Sequence, residues 1–114
     1  MKRELSLYLH DILESIALAE SHTKKLTKRE FLRNKTIQDA VILRLAVIGE
    51  AIKHVPDRFR DEYPHIQWRN ITGMRNVVIH EYFAIDFDIT WKTVKKDLPR
   101  LKRVIETMLD ELKK

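Results

Sequence analysis

An all-α fold, an antiparallel bundle of four to five helices with a kinked last helix, is predicted by three features of this sequence. Apolar residues recur every three or four positions over long stretches, the period of one helix face. Only two glycines and three prolines stand in 114 residues, too few for a series of hairpin turns. No internal repeat or low-complexity linker divides the chain, so residues 1–114 read as a single helical domain.

The first segment places Leu5, Leu9, Ile12, Ile16 and Ala19 at alternating steps of four and three, one stripe of a helix running to about Ser21. Its other side carries Glu4, Asp11 and Glu14, which water solvates; His10 and His22 stand alone and read as surface residues. Thr27-Lys28-Arg29-Glu30 has the form of a capping box and predicts a short helix with Phe31 and Leu32 turned inward. Asn34 and Thr36 interrupt it, and Thr36 with Asp39 is the expected start of the next helix.

From Ile37 to about His54 the chain is unusually apolar. Ile37, Val41, Leu45, Ile48 and Ile52 form one stripe, and Ala40, Leu43, Val47 and Ala51 form another. Two stripes predict burial on two sides, one against the bundle and one available to a second subunit. Gly49, Ala40 and Ala51 are small enough to let backbones approach. Arg44 and Glu50 are the polar exceptions, facing either a dimer cleft or solvent along an edge. Pro56 cannot continue the helix, and Tyr63-Pro64 closes a short connection.

Trp68, Ile71, Met74 and Val78 mark the inner face of the next helix, which is expected to end near Tyr82-Phe83. Gly73 inside it costs about 1 kcal/mol relative to alanine, which predicts a packing or ligand-access role. Asp86 or Asp88 is expected to cap the last helix, whose stripe Trp91, Val94, Leu98, Leu101, Ile105, Met108, Leu112 keeps its phase to the end. Pro99 lies within that stripe, and the unbroken phase predicts a kink in one helix.

Composition narrows the function. With 44% hydrophobic and 34% charged residues, the chain has an ordinary soluble makeup. There is no apolar run of about 18 residues and no signal-peptide pattern at Met1-Lys2-Arg3, so a cytoplasmic protein without a membrane span is expected. The absence of cysteine excludes disulfides and thiolate metal sites. Neither a metal-ligand spacing nor a glycine-rich phosphate loop is present, so neither metal nor cofactor is expected. No serine sits in a nucleophile elbow. The formal net charge is +5, concentrated in residues 24–35 and 92–114. Such a distribution attracts RNA phosphates, although a solvated helix face has the same composition.

The chemistry gathers in Gly73-Met74-Arg75-Asn76-Val77-Val78-Ile79-His80-Glu81-Tyr82. Arg75 offers a permanent cation with a planar donor fork suited to phosphate. His80 is of the one side-chain type whose ordinary pKa, about 6.5, lets it exchange protons near neutrality. Val77, Val78 and Ile79 are expected to bury the intervening turn. At about 100° per residue, Asn76 and His80 share a face while Arg75 and His80 sit roughly 140° apart. Arg75 therefore curls around the helix to reach His80, or the two meet in a cleft between subunits.

This string resembles the Arg-x4-His-x-Tyr signature of the HEPN superfamily, in particular the HepT-like toxins paired with a minimal nucleotidyltransferase. Chance alone gives Arg five before His about 0.4 times in such a chain, and roughly 0.01 times with the tyrosine added. Arg60-x4-His65 repeats the short spacing, but Pro64 and Gln67 spoil it. The resemblance extends through Trp68-Arg69, Tyr82-Phe83, Asp86-x-Asp88, Asp97-Leu98-Pro99, and Thr36-Ile37-Gln38-Asp39-Ala40 leading into Ile48-Gly49-Glu50-Ala51. It implies a metal-independent endoribonuclease with a composite site in a homodimer. Arg75 and His80 would be the catalytic pair and Asn76 their polar neighbour, able to hold the imidazole or the sugar. Tyr82 would be the residue to which a cognate nucleotidyltransferase antitoxin adds AMP. A non-catalytic subunit that presents nucleotide or substrate to that transferase is the second reading, and a purely structural dimer the third. Without the resemblance, Tyr82 reads sooner as an aromatic lid on the core.

Overall fold

Residues 2–114 are described by the computed structural model, with side chains from Glu4 onward. The N-terminal stripe folds as α1 (Lys2–Thr23), burying Leu9, Ile12, Ile16 and Ala19 completely. The capping box forms as predicted. Glu30 N–H donates to the Thr27 hydroxyl at 3.1 Å, and Thr27 N–H donates to the Glu30 carboxylate at 2.9 Å. It opens α2 (Lys28–Leu32), in which Phe31 is buried but Leu32 lies exposed, contrary to expectation. Five residues make little more than one turn, and one inward side chain is all that such a turn presents.

The third helix, α3 (Lys35–Ile52), begins earlier than expected: Asn34, not Thr36 or Asp39, is its cap, accepting from Ile37 N–H at 3.0 Å. The first apolar stripe is buried along most of its length. The second is uneven, with Ala51 buried and Leu43 55% exposed. The helix packs along α1 on one side and α5 on the other, so it is the centre of the bundle. Arg44 does not run free in solvent, because its guanidinium donates to the Ser15 hydroxyl of α1 at 3.4 Å.

Pro56 opens a single turn, α4 (Asp57–Arg60). Trp68 ties this connection to α5 (Trp68–His80), its indole N–H shared between the carbonyls of Arg60 and Tyr63, each at 3.1 Å. The Arg60 and His65 pair belongs to no common helix, as Pro64 predicted.

Gly49 is where α5 crosses α3. A side-chain carbon there would stand 2.8 Å from the Ile71 carbonyl oxygen, a backbone atom that cannot step aside alone. Gly73 is the opposite case. Nothing lies within 4 Å of its would-be Cβ, so the expected packing role is absent. Overpacking at Gly49 costs about 1–3 kcal/mol, only partly offset by the roughly 1 kcal/mol that alanine gains in a helix. Gly49→Ala is therefore expected to destabilise the fold and Gly73→Ala to stabilise it by about 1 kcal/mol. Urea denaturation of the two variants beside the natural chain measures both signs.

A 3-10 turn (Tyr82–Ala84) leads to Asp86, which caps α6 (Phe87–Lys92) by accepting from Asp88 N–H at 2.9 Å. α6 passes through one wide π turn (Thr93–Asp97) into α7 (Leu98–Leu112). The expected kink is thus a local widening: Leu98 N–H reaches back five residues to the Thr93 carbonyl. The widened turn relieves the clash that the Pro99 ring would otherwise make with the carbonyl four residues earlier, so the helix continues. Leu98, Leu101, Ile105 and Met108 keep the stripe buried against α1. Among the described residues four long helical runs and two short helices make the bundle, and none is long and apolar enough to cross a membrane.

Candidate functional site

α5 owes its position to Ile71, buried against the core, and to the close crossing at Gly49. It stops at His80 because Glu81 leaves the helical region, at φ −136° and ψ 37°. The Glu81 N–H still bonds the Val77 carbonyl at 2.8 Å, so the last turn stays closed beneath the candidate residues. Val77 and Val78 are half-buried, but Ile79 is 54% exposed and does not bury the turn as expected.

Arg75 is drawn toward α3. Its Nε donates to Glu50 Oε2 at 2.6 Å, across a pair half open to water. An ion pair so exposed contributes under about 1 kcal/mol to stability, and its clearer consequence is orientation. Arg75 Nη1 donates to the Asn76 side-chain oxygen at 3.4 Å, so Asn76 serves the guanidinium and not His80. His80 stands exposed at the end of α5, and among the described residues it makes no side-chain hydrogen bond and no ion pair. Within the chain, then, Arg75, Asn76 and Glu50 are gathered together while His80 remains separate.

Tyr82 is neither a lid on the core nor bonded to His80. Its ring meets Phe83 edge-on at 5.7 Å, and its hydroxyl crosses to the start of α3. There it donates to Asp39 Oδ1 at 2.6 Å and accepts from Lys35 Nζ, while Lys35 and Asp39 pair at 3.5 Å. Lys35 also lies 4.6 Å from the centre of the Tyr82 ring, a cation–π contact. The Tyr82 hydrogen bond, then Lys35, holds the Asp39 carboxyl below the usual carboxylate range. The separate bond from the Lys35 ammonium to the Tyr82 hydroxyl, then Asp39, holds that ammonium above the usual lysine value. The stabilising part of Asp39 is thus present above the ordinary carboxylate pKa and lost as pH falls through the lowered value. That of Lys35 is present below the ordinary lysine pKa and lost as pH rises through the raised value.

Three residues of this neighbourhood escaped the sequence reading of the site: Glu50 as the partner of Arg75, and Lys35 with Asp39 as partners of Tyr82. The i, i+4 spacing of Lys35 and Asp39 on one helix was a legible signal for their ion pair. Their meeting with Tyr82 joins residues more than forty apart and needed the tertiary fold. Parts of the basic stretches are also occupied structurally: Lys28 pairs with Asp88 at 2.8 Å, and Lys95 donates to the Thr23 carbonyl at 3.3 Å.

A groove of about 690 Å3 runs between α5 and the α6–α7 helix, floored by Ile42 and Leu45 and reached by Arg69, Lys92 and Arg100. Gly73 opens onto it. Among the described residues, no group of three or more His, Asp or Glu side chains is arranged to hold a metal ion.

Compared with known proteins, residues 12–108 match the family "Ribonuclease HepT-like". The chain is 46% identical over 114 residues to a Methanocaldococcus jannaschii protein named "Gamma-glutamylcyclotransferase and putative RNase MJ0434". The match takes in all of this chain and 51% of that relative, so the chain spans about half of its length. It is 44% identical over 108 residues to "Probable ribonuclease HepT" of Thermococcus cleftensis, covering 95% of this chain and 98% of the relative. No solved structure matches the chain.

Proposed function

The chain belongs to the ribonuclease HepT-like family, and from that premise we propose that it is a metal-independent endoribonuclease toxin whose active site is shared between two copies. The observation that carries the reading is the complete Arg75-x4-His80-x-Tyr82 string at the accessible end of α5, with an imidazole that no described residue of the same chain engages.

RNA brings its own nucleophile, the 2′-hydroxyl, so cleavage needs proton transfer and charge stabilisation at one phosphate. His80 removes the 2′-proton or protonates the leaving 5′-oxygen. Arg75, steadied through Nε by Glu50, turns its remaining N–H groups toward the phosphoryl oxygens. One copy supplies a single such histidine, and a twofold pair supplies two. Exposed apolar side chains support that pairing: Leu43 on the second stripe of α3, Ile79 beside Asn76 on α5, and Phe83 at 101% exposure just beyond it.

In the same reading Tyr82 is the site at which a cognate nucleotidyltransferase adds AMP, silencing the enzyme by placing bulk and negative charge where the RNA phosphate docks. The second reading, a non-catalytic subunit that presents nucleotide or substrate, is favoured by the groove beside α5, lined by Arg69, Lys92 and Arg100 together with Asp86 and Asp97. Incubation of purified chain with RNA in excess EDTA separates the two. Fragments ending in 2′,3′-cyclic phosphate are expected; RNA left intact at every protein concentration would leave the binding subunit standing instead.

A further inference from the structure

The strongest unassigned feature is the contact of Tyr82 with Lys35 and Asp39. Two charged side chains one turn apart on α3 converge on a single hydroxyl from a distant part of the chain. We propose that Asp39 and Lys35 form a built-in acid–base pair that turns the Tyr82 hydroxyl into a nucleophile, so that this chain and not only its modifying partner supplies catalysis of nucleotidyl transfer. The proposal rests on the reading of Tyr82 as the modified residue.

A tyrosine hydroxyl has one proton to give and two lone pairs to use. Asp39 Oδ1 takes the proton's hydrogen bond at 2.6 Å, and one lone pair accepts from Lys35. The second lone pair remains for attack. In the transfer, Tyr82 Oη bonds to the α-phosphorus of a nucleoside triphosphate held by the transferase. The bond from that phosphorus to the bridging oxygen breaks, pyrophosphate departs with the electron pair, and the phenolic proton passes to Asp39. Lys35 holds the negative charge that builds on Oη before the new bond closes. Of the other carboxylates nearby in sequence, Asp86 caps α6, Asp88 pairs with Lys28, and Glu81, next to Tyr82 in the chain, is exposed and makes no bond to the hydroxyl. Asp39 is therefore the acceptor, and Lys35 the cation, that face the hydroxyl.

The alternative is a tether that merely fastens the 3-10 turn to α3. An aryl sulfonyl fluoride, which labels tyrosine hydroxyls without any partner protein, tells the two apart when labelling is read by peptide mass spectrometry. Tyr8 and Tyr63 of the same molecule serve as internal references. In the natural chain Tyr82 is expected to label about tenfold faster than either. Asp39→Asn and Lys35→Gln are each expected to lower the Tyr82 rate about tenfold, leaving the references unchanged. Between pH 7 and 9 the Asp39→Asn rate should climb with pH, because hydroxide from the solvent must then take the phenolic proton in place of Asp39. The natural chain should vary far less, and Asp39→Glu should recover part of the rate. Equal labelling of Tyr82 in the natural chain and Asp39→Asn, with parallel pH profiles, overturns the proposal and leaves a tether. Fast labelling combined with no nucleotide on Tyr82 after coexpression with a nucleotidyltransferase leaves the activation standing and removes the reading of Tyr82 as the modified residue.

Discussion

His80→Ala is expected to lower RNA cleavage by about 10²–10⁴-fold, the range that one positioned proton-transfer group contributes. The imidazole is exposed at the end of α5 and makes no side-chain hydrogen bond to a described residue, so its removal creates no cavity and strands no polar group. Surface changes of that kind stay within about 0.5 kcal/mol. Loss of activity should therefore come without loss of fold, read as an unchanged circular dichroism spectrum and melting point beside a single-turnover cleavage assay. Arg75→Ala serves as a contrast. It also frees Glu50 from its 2.6 Å ion pair, so a carboxylate is left near the expected phosphate position and repulsion adds to the lost attraction. Arg75→Ala combined with Glu50→Ala should recover part of the activity lost in Arg75→Ala. Activity in His80→Ala equal to that of the natural chain would show that the cleavage, if any, runs without the imidazole.

Leu43→Asp is expected to convert a dimer to a monomer and to abolish cleavage together with it. Leu43 is 55% exposed on α3, on the second apolar stripe, which is buried at Ala51 but open to solvent here. A carboxylate there is solvated in the monomer, so the fold should be unharmed. In a paired state it would be buried without a partner, at a cost of several kcal/mol, enough to weaken association at least a hundredfold. Sedimentation and activity measured over the same concentration range test the linkage. Leu43 is not among the residues assigned to chemistry, so a monomer that cleaves RNA at the full rate would dispose of the shared site while leaving His80 in its role.

Much of the scaffold could be read in advance because helices are local objects. The 3.6-residue period fixed the buried faces of α1, α3 and α7 from Leu9 to Met108, since each stripe records which side of one helix avoids water. The Thr27 capping box and the Asp86 cap were legible for the same reason: donor and acceptor lie within three residues. The start of α3 was misplaced because Asn34, Thr36 and Asp39 all have suitable side chains, and only backbone geometry at Asn34 selects among them. Pro99 was expected to bend its helix, and the π turn before it takes up the strain over one turn.

By itself the sequence determined an all-helical chain with an Arg75, His80 and Tyr82 string at one helix end, because spacing and side-chain chemistry are properties of consecutive residues. Only the tertiary structure decided which groups those residues meet. It gave Arg75 to Glu50 through the Gly49 crossing, left His80 apart, and carried Tyr82 across to Lys35 and Asp39. The reason is physical: helix periodicity says which way a side chain leaves its own axis, whereas the choice of partner depends on how two axes are set against each other by packing far along the chain.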